Sequence, residues 1–349
     1  DQEWAEPFPD RLSITVLDSI GIETGDSCYV LGSIVAAATA PNGDIFLLDQ
    51  SACIIRVFDS DGIHIENMSR QGSGPGELLM PWDITVFPDG KIMVMDLMKG
   101  GMIILDSCGG SLGELTEWPL MPPCAITGIG YNQFAGCVFD AEMRSSGILF
   151  KLNTTLFSME NAEPEQVFHT DSLVIDPDNT PLSPTGMLEY VNIATNIDRR
   201  IFYNLRSTEE YLVYAWDHEG NELFTASLGI PPVEKTPDEL DEENEYTRMR
   251  FASMGMNTLP EGYEPDPNHI LVVGLGADRN GNLWVQRGTE NIPVFDVFDS
   301  KGTQIATVEF PMDGRYWSFS ITPYGNLTWN LDPESGFQIV YLLELPEIE

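Results

Sequence analysis

Basic charge is the first thing this sequence has little of. Seventeen lysines and arginines stand against 55 aspartates and glutamates in 349 residues, for a formal net charge of -38, and only five of the seventeen are lysine. A surface of that sign repels phosphate backbones and anionic headgroups, which argues against nucleic acid and bare membrane as partners. Long apolar runs are missing too. No stretch approaches the roughly 18 to 20 residues that a membrane-spanning helix needs, so no membrane insertion is expected. Histidine is scarce: His64, His169, His218 and His269 are the four, and three read as turn or loop residues, with His64 on an outer strand. A catalytic zinc site usually draws on two or three histidines. No H-E-x-x-H, G-x-S-x-G, phosphate-loop or dinucleotide pattern occurs, so neither a catalytic residue nor a metal ligand is assigned. Cysteine numbers five, with no C-x-x-C spacing, and an odd count leaves at least one unpaired. Cys28 with Cys53 and Cys108 with Cys124 are the two bridges an exported protein could form here; the alternative for each is a small buried hydrophobe.

What the sequence does have is a repeat, clearest from Gln71 to Gly110. Gly72, Gly74, Pro75 and Gly76 lead through Glu77 to Pro81 and a strand, Asp83 to Phe87. The turn Pro88-Asp89-Gly90 passes to a second strand, Lys91 to Met95, that stops at Asp96; a third runs from Met102 to Leu105 before Asp106 to Gly110 turns again. Asp-Gly between apolar runs is the strongest short hairpin signal, because glycine takes positive φ without a Cβ clash. The unit is one four-stranded antiparallel blade. It recurs at Gly43, Asp49 and Gly62, which match Gly90, Asp96 and Gly109, and again around Gly281 and Gly325. Two further blades, near Cys124 to Phe157 and Tyr190 to Leu228, lack the Asp-Gly turn. Six blades are counted.

Three stretches stand outside the repeat. Residues 1–10 carry Trp4 and Phe8 with no period and read as an arm. Arg11 to Asp18 alternates, with Leu12, Ile14 and Val16 on one face, and is expected to pair with the last blade and close a ring. Residues 231–267 form an acidic insertion opened by Thr236-Pro237-Asp238-Glu239, a capping box with proline at the first helical position. A helix should follow, with Leu240, Thr247, Phe251 and Met254 on one face and Gly255 placed to stop it. Asn161 to Thr185, rich in proline and aspartate, is read as loop elaborating one face. The expected organisation is an arm over 1–10 and a single all-β domain over 11–349.

The motifs Gly72-Ser73-Gly74-Pro75-Gly76-Glu77-Leu78, Asp89-Gly90-Lys91-Ile92-Met93-Val94-Met95-Asp96 and Ile103-Ile104-Leu105-Asp106 resemble the six-bladed propellers of the NHL-repeat type. The resemblance implies six blades around a channel, with ligand or partner surfaces on the face built by the loops before first strands and after second strands. It does not choose among interaction modules, lyases and lactonases. It also implies that enzyme members hold calcium or zinc on the channel; no cofactor is assigned to this chain, calcium being the ion the resemblance leaves open.

On the implied face the candidates are Asp49, Gly74, Gly76, Glu77 and Asp96. A carboxylate at a strand end can hold a cation or a sugar, or can accept N–H bonds from its own loop. The glycine-rich loop opens no helix and has no lysine beside it, so it reads as a compact crossing between blades. Trp82, Trp284 and Trp329 read as packing between sheets. Trp4, Phe8, Phe251 and Met254 are the candidate anchors for self-association. Asn67, Asn153 and Asn326 begin glycosylation sequons, the last two at predicted exposed turns. The sequence begins at Asp1 without methionine, which reads as a chain after signal-peptide removal. The expectation is a secreted, cell-surface or periplasmic propeller acting as a binding scaffold for another protein or for a copy of itself. The alternatives are a structural subunit of an extracellular homopolymeric assembly and, third, a metal-dependent lyase or lactonase.

Overall fold

In the computed structural model, residues 6–118, 121–144, 147–160, 163–175, 191–253, 259, 263–331 and 337–348 are described. The N-terminal segment contributes β1 (Leu12–Ser13) and β2 (Thr15–Ile20). Blade one is β3 (Ile34–Thr39), β4 (Ile45–Asp49), β5 (Ile54–Phe58) and β6 (His64–Met68). Blade two is β7 (Pro81–Val86), β8 (Ile92–Asp96), β9 (Gly101–Leu105) and β10 (Ser111–Leu115), and blade three is β11 (Cys124–Ile129), β12 (Gln133–Arg144), β13 (Gly147–Ser158) and β14 (Pro164–Ile175). Blade four is β15 (Val191–Thr195), β16 (Ile201–Leu205), β17 (Leu212–Trp216) and β18 (Glu222–Ser227); the helix α1 (Pro237–Ser253) follows. Blade five is β19 (Val272–Ala277), β20 (Leu283–Arg287), β21 (Val294–Phe298) and β22 (Gln304–Glu309). Blade six has β23 (Ser318–Thr322), β24 (Gly325–Leu331) and β25 (Gln338–Glu344), and takes β2 as its fourth strand. The fold is a six-bladed β-propeller of four-stranded antiparallel blades, with one helix among the described residues.

The chain divides into two compact units. One contains Ile22–Glu189 and therefore blades one to three; the other contains Asp1–Gly21, Tyr190–Leu259 and Glu264–Glu349, with blades four to six. In the first unit, β4, β8 and β9 are buried along their whole length, which is why the sequence there reads as continuous apolar runs such as Ile45-Phe46-Leu47-Leu48. Phe46, Leu48, Ile55 and Val57 pack with Ile84, Ile92, Val94 and Ile103 into one core between blades one and two. Phe87, Met93, Met95, Phe134 and Phe157 form the next, between blades two and three. Each fully buried side chain of this size contributes about 1.5–3 kcal/mol. The turns that deliver these strands are local: at Gly90, with φ 83, the N–H bonds the Phe87 carbonyl, and Asp89 Oδ1 accepts Lys91 N–H. In the second unit, Trp284, Phe295, Val297, Val308 and Ile14 share a core between blades five and six. Trp284 and Trp329 are both buried, as their strand positions suggested.

The structure differs from the sequence reading in two places. The alternation at Arg11 to Asp18 is not one strand: β1 runs parallel to β22 of blade five, and β2 then pairs antiparallel with β25 of blade six. Ile14, between them, is the buried member, while Leu12 and Val16 stay exposed. Second, the stretch read as loop from Asn161 supplies β14, a 12-residue fourth strand for blade three, and β12 and β13 also reach 12 residues. Residues 161–162 and 176–185 of that stretch lie outside those described.

Candidate functional site

In the first unit, three connections meet: Asp49 to Cys53, Arg70 to Met80 and Asp96 to Gly101. Gln50 Nε2 donates to the Pro81 carbonyl at 2.8 Å, and the Cys53 thiol lies 3.4 Å from the Leu79 carbonyl. Asp49 and Asp96, the binding-face candidates, are fully buried, and of the two roles open to them the geometry shows the acceptance of loop N–H bonds. Asp49 Oδ1 accepts the N–H groups of Ser33 and Ala52 and the Ser51 hydroxyl; Oδ2 accepts Gly32 N–H and, at 2.9 Å, Arg56 Nε. Burial alone would raise this carboxyl, but the Ser51 hydroxyl, the Arg56 guanidinium and the Ala52 N–H together hold it below the ordinary carboxylate range. Asp96 accepts Leu79 N–H at 2.7 Å, Met80 N–H at 3.1 Å and Lys99 N–H at 3.0 Å. Each aspartate is the knot of its own loop, with no lone pair turned to a ligand.

The glycine-rich loop is closed in the same way. Glu77 accepts Gly74 N–H at 2.8 Å and Arg70 Nε at 2.7 Å, and these partners, the Gly74 N–H first, lower its carboxyl. The Ser69 hydroxyl donates to the Gly76 carbonyl at 2.7 Å. Gly76 has φ 71, and a Cβ there would stand 3.1 Å from that of Ser111, so this position requires glycine. The expectation that no lysine stands by the loop is corrected: Lys99 Nζ donates to the Gly74 carbonyl at 2.9 Å and pairs with Glu114 at 2.6 Å, its side chain only 6% exposed. An open cleft of about 250 Å³ remains, lined by Ser69, Arg70, Pro75, Gly76, Glu77 and Gly109. Arg70, 80% exposed, is its one basic group.

In the second unit the arrangement at the corresponding strand end was not foreseen. Arg287 closes β20, and its fully buried guanidinium grips Asp296 of β21 through Nε at 2.8 Å and Nη2 at 2.6 Å. Tyr211 O–H and Gln304 Nε2 also donate to Asp296, at 2.8 and 2.7 Å. Burial first and the Asp296 charge second push the Tyr211 hydroxyl far above its usual range. Arg287 Nη1 also reaches Glu6 of the N-terminal arm at 3.3 Å and Glu290 at 3.5 Å, and Arg11 pairs with both acids.

The helix α1 starts where the capping box placed it. Thr236 N–H donates to Glu239 Oε2 at 2.7 Å, and Glu239 N–H returns a bond to Thr236 Oγ1 at 3.4 Å. Glu239 also pairs with Arg315 and lies 3.4 Å from His269 Nε2; burial, then the Arg315 charge, lowers the His269 pKa. Tyr246 stacks on Tyr316 at 4.0 Å between ring centroids. Phe251 is 5% exposed, which removes it as a surface anchor for self-association. Phe8 is half-buried, and Trp4 and Met254 lie outside the described residues. Asp238, Asp241, Glu242 and Glu245 point the acidic face outward.

Two of the three sequons are corrected. Asn153 lies in β13 and Asn326 in β24, both inside sheets rather than at exposed turns, and their sequon threonines, Thr155 and Thr328, are fully buried. Only Asn67, on the outer strand β6, is exposed; its Oδ1 lies 3.0 Å from His64 Nε2. Neither of the two bridges open to the sequence forms: Cys108 sits in an exposed turn while Cys124 is buried on β11, and Cys53 packs, as the alternative had it, as a small buried side chain against the carbonyls of Gln50 and Leu79 rather than Cys28. Among the described residues, no three of His, Cys, Asp and Glu gather as a metal-holding group, and no helix is long and apolar enough to cross a membrane.

Residues 11–175 match the model of a family described as a 6-bladed beta-propeller. No curated protein matches the chain in sequence. Among solved structures it is similar to a member of the duf4221 family from Bacteroides vulgatus, at 10% identity and a TM-score of 0.53 over 96% of this chain and 98% of that one. It is similar also to a protein from Bacteroides fragilis thought to be exported, at 12% identity and a TM-score of 0.52 over 99% and 98% of the two chains. A gluconolactonase from Xanthomonas campestris aligns over 98% of this chain and all of its own, but at 14% identity and a TM-score of 0.42 that likeness carries no chemistry. What these matches establish is the six-bladed propeller, and not the narrower NHL-repeat assignment.

Proposed function

We propose that this chain is an exported, non-catalytic binding scaffold whose loops are offered to a protein partner. The observation that carries the reading is the state of the strand-end charges. Asp49, Asp96 and the Arg287–Asp296 pair, at the positions where a propeller would present chemistry, are buried and hydrogen-bonded to their own blades and loops. Rigid loops held from beneath by such knots keep a binding surface ordered while their outer residues vary. The likeness to a Bacteroides fragilis protein thought to be exported supports export. Assembly into a homopolymer, the second reading, has lost Phe251 as an anchor. A metal-dependent lyase or lactonase has no converging ligand group among the described residues to build on.

The test compares the purified chain with a variant carrying Asp238→Asn, Asp241→Asn, Glu242→Gln and Glu245→Gln on the exposed face of α1. Immobilised in the extracellular or periplasmic fraction of its source, the chain should retain a protein partner that the variant loses, with melting temperature unchanged. Retention of stoichiometric calcium or zinc through purification, together with lactone hydrolysis, would replace this reading with the enzymatic one. Concentration-dependent growth in light scattering would favour the assembly.

A further inference from the structure

Two thiols face each other in blade three that the spacing of the cysteines does not pair. Cys124 on β11 and Cys137 on β12 are register partners across an antiparallel ladder, so their side chains leave the sheet on the same face. Both are fully buried free thiols in this structure, and Cys124 Sγ lies 3.5 Å from the Cys137 carbonyl oxygen. The Cys137 thiol is raised well above its ordinary value, by the Cys124 thiol first and by burial second, as two sulfurs packed side by side require. The register slips just after Cys124, and Ala125 takes φ 50, so this end of β11 is held in an irregular turn beside its partner. Cys28, Cys53 and Cys108 have no such neighbour: the first lies beside Asp26, the second packs on the Gln50 and Leu79 carbonyls, and the third occupies an exposed turn.

We propose that Cys124 and Cys137 are joined by a disulfide that ties β11 to β12, formed by exchange with an oxidised dithiol or glutathione disulfide while the sheet is still open. One cysteine thiolate attacks a sulfur of the oxidant's disulfide and expels a thiolate; the second attacks the mixed disulfide and expels the protein-bound half of the oxidant. The protein gives up two hydrogens, and the oxidant leaves as two thiols. Timing follows from burial. Only a thiolate is nucleophilic, and a buried, raised thiol meets no oxidant, so the native sheet shields the pair in either state and the bond is set before blade three closes. A bond of this kind suits an oxidising compartment, but its formation in a defined redox buffer does not depend on where the protein resides.

The test is peptide mapping. The chain is reduced and unfolded, refolded in a mixture of glutathione and glutathione disulfide, quenched with acid, unfolded again and alkylated. The expected product is a linked pair of peptides carrying Cys124 and Cys137, two hydrogens lighter than the separate thiols, with Cys28, Cys53 and Cys108 alkylated. Wild-type protein so oxidised should melt several degrees above the reduced form. Cys124→Ser and Cys137→Ser, singly or together, should lose both the linked peptide and that difference. Alkylation of all five cysteines across the full range of oxidising buffers overturns the proposal, as does a linked peptide joining Cys108 to Cys124.

Discussion

Blades one and five place a buried ion pair at the same register with opposite polarity. In blade one the acid closes the second strand and the base sits opposite Leu47: Asp49 with Arg56, 2.9 Å apart. In blade five the base closes the strand and the acid sits opposite Val285: Arg287 with Asp296, 2.6 Å apart. The fold fixes where the pair stands but not which way it points, and the direction decides what gathers around it. A carboxylate at the strand end collects N–H groups, those of Gly32, Ser33 and Ala52, and so folds its own loop. A guanidinium there donates outward instead, and gathers Glu6 and Glu290. Blade two shows what happens when the base is lost. Ile103 takes the place of Arg56, and Asp96 holds its loops by N–H bonds alone.

The largest effect is expected in blade five. Asp296→Ala takes from the buried Arg287 its one fully buried carboxylate, leaving only the partly exposed Glu6 and Glu290, and strips an acceptor from each of Tyr211 and Gln304, which should cost about 3–5 kcal/mol in urea unfolding. Replacing both partners, as Arg287→Met with Asp296→Leu, should cost less than the single change; the reverse order would show that the pair does more than cancel buried charge. In blade one, Asp49→Ala should cost about 2–4 kcal/mol, less than in blade five, because no buried tyrosine hydroxyl loses its acceptor there and Arg56 keeps the Ser27 and Cys28 carbonyls. Reversing the pair, Asp49→Arg with Arg56→Asp, should not restore stability, since the three loop N–H groups then face a cation. Recovery to the wild-type midpoint would mean that polarity is immaterial and that the comparison between blades carries no lesson.

Much of this frame was legible because its signals are local. Asp-Gly turns, the limits of β11 and the start of α1 at Pro237 each follow from a few adjacent residues. The candidate site was read less well, since its partners are distant along the chain. Lys99 reaches Gly74 across 25 residues. Tyr211 reaches Asp296 across 85. The Arg287 position was available to counting, six residues beyond Gly281 as Asp49 is beyond Gly43, but a search for carboxylates passes over an arginine. The sequons misled for a different reason: Asn326 follows a glycine turn in sequence, yet β24 begins at Gly325 and takes the asparagine inside the sheet. The cysteine pair needed the register of β11 on β12, which spacing does not provide.

Two carboxylates of the first unit, the buried Asp49 and the half-buried Asp83, should respond to pH in opposite directions. Asp49 has a cation and a lowered pKa, so the stability it gives is present at neutral pH and is lost as pH falls below the ordinary carboxylate value of 3.8. Asp83 is half-buried with no cation beside it and accepts the N–H groups of Ile84 and Ile126; loss of solvent outweighs both and raises it to about 6. The folded chain therefore keeps this proton to a higher pH than the unfolded one. Its part in stability declines as pH rises from 3.8 to about 6, by at most about 1.4 kcal/mol per pH unit. Asp83→Asn should flatten the measured stability in that window relative to wild type. An unchanged profile would place the ionised form in the native state.

The smallest effect is expected where the reversed polarity of blade five meets the arm. Glu6 bridges Arg11 at 3.1 Å and Arg287 at 3.3 Å, with its side chain 19% exposed, so the pairs stand partly in water. Glu6→Gln should change global stability by less than about 1 kcal/mol, and by less still in high salt. Hydrogen exchange is the sharper measurement. If the outward-pointing guanidinium is what holds the arm, the amides of Phe8 and Asp10, the two between residues 7 and 10 that are not proline, should exchange faster in the variant while those of β20 and β21 do not, since Arg287 keeps Asp296. Equal acceleration in both regions would mean that the arm supports the buried pair rather than being gathered by it. No acceleration in either would detach the arm from the charge reversal altogether, leaving the parallel pairing of β1 with β22 and the pairs of Arg11 with Glu290 and Glu309 to tether it.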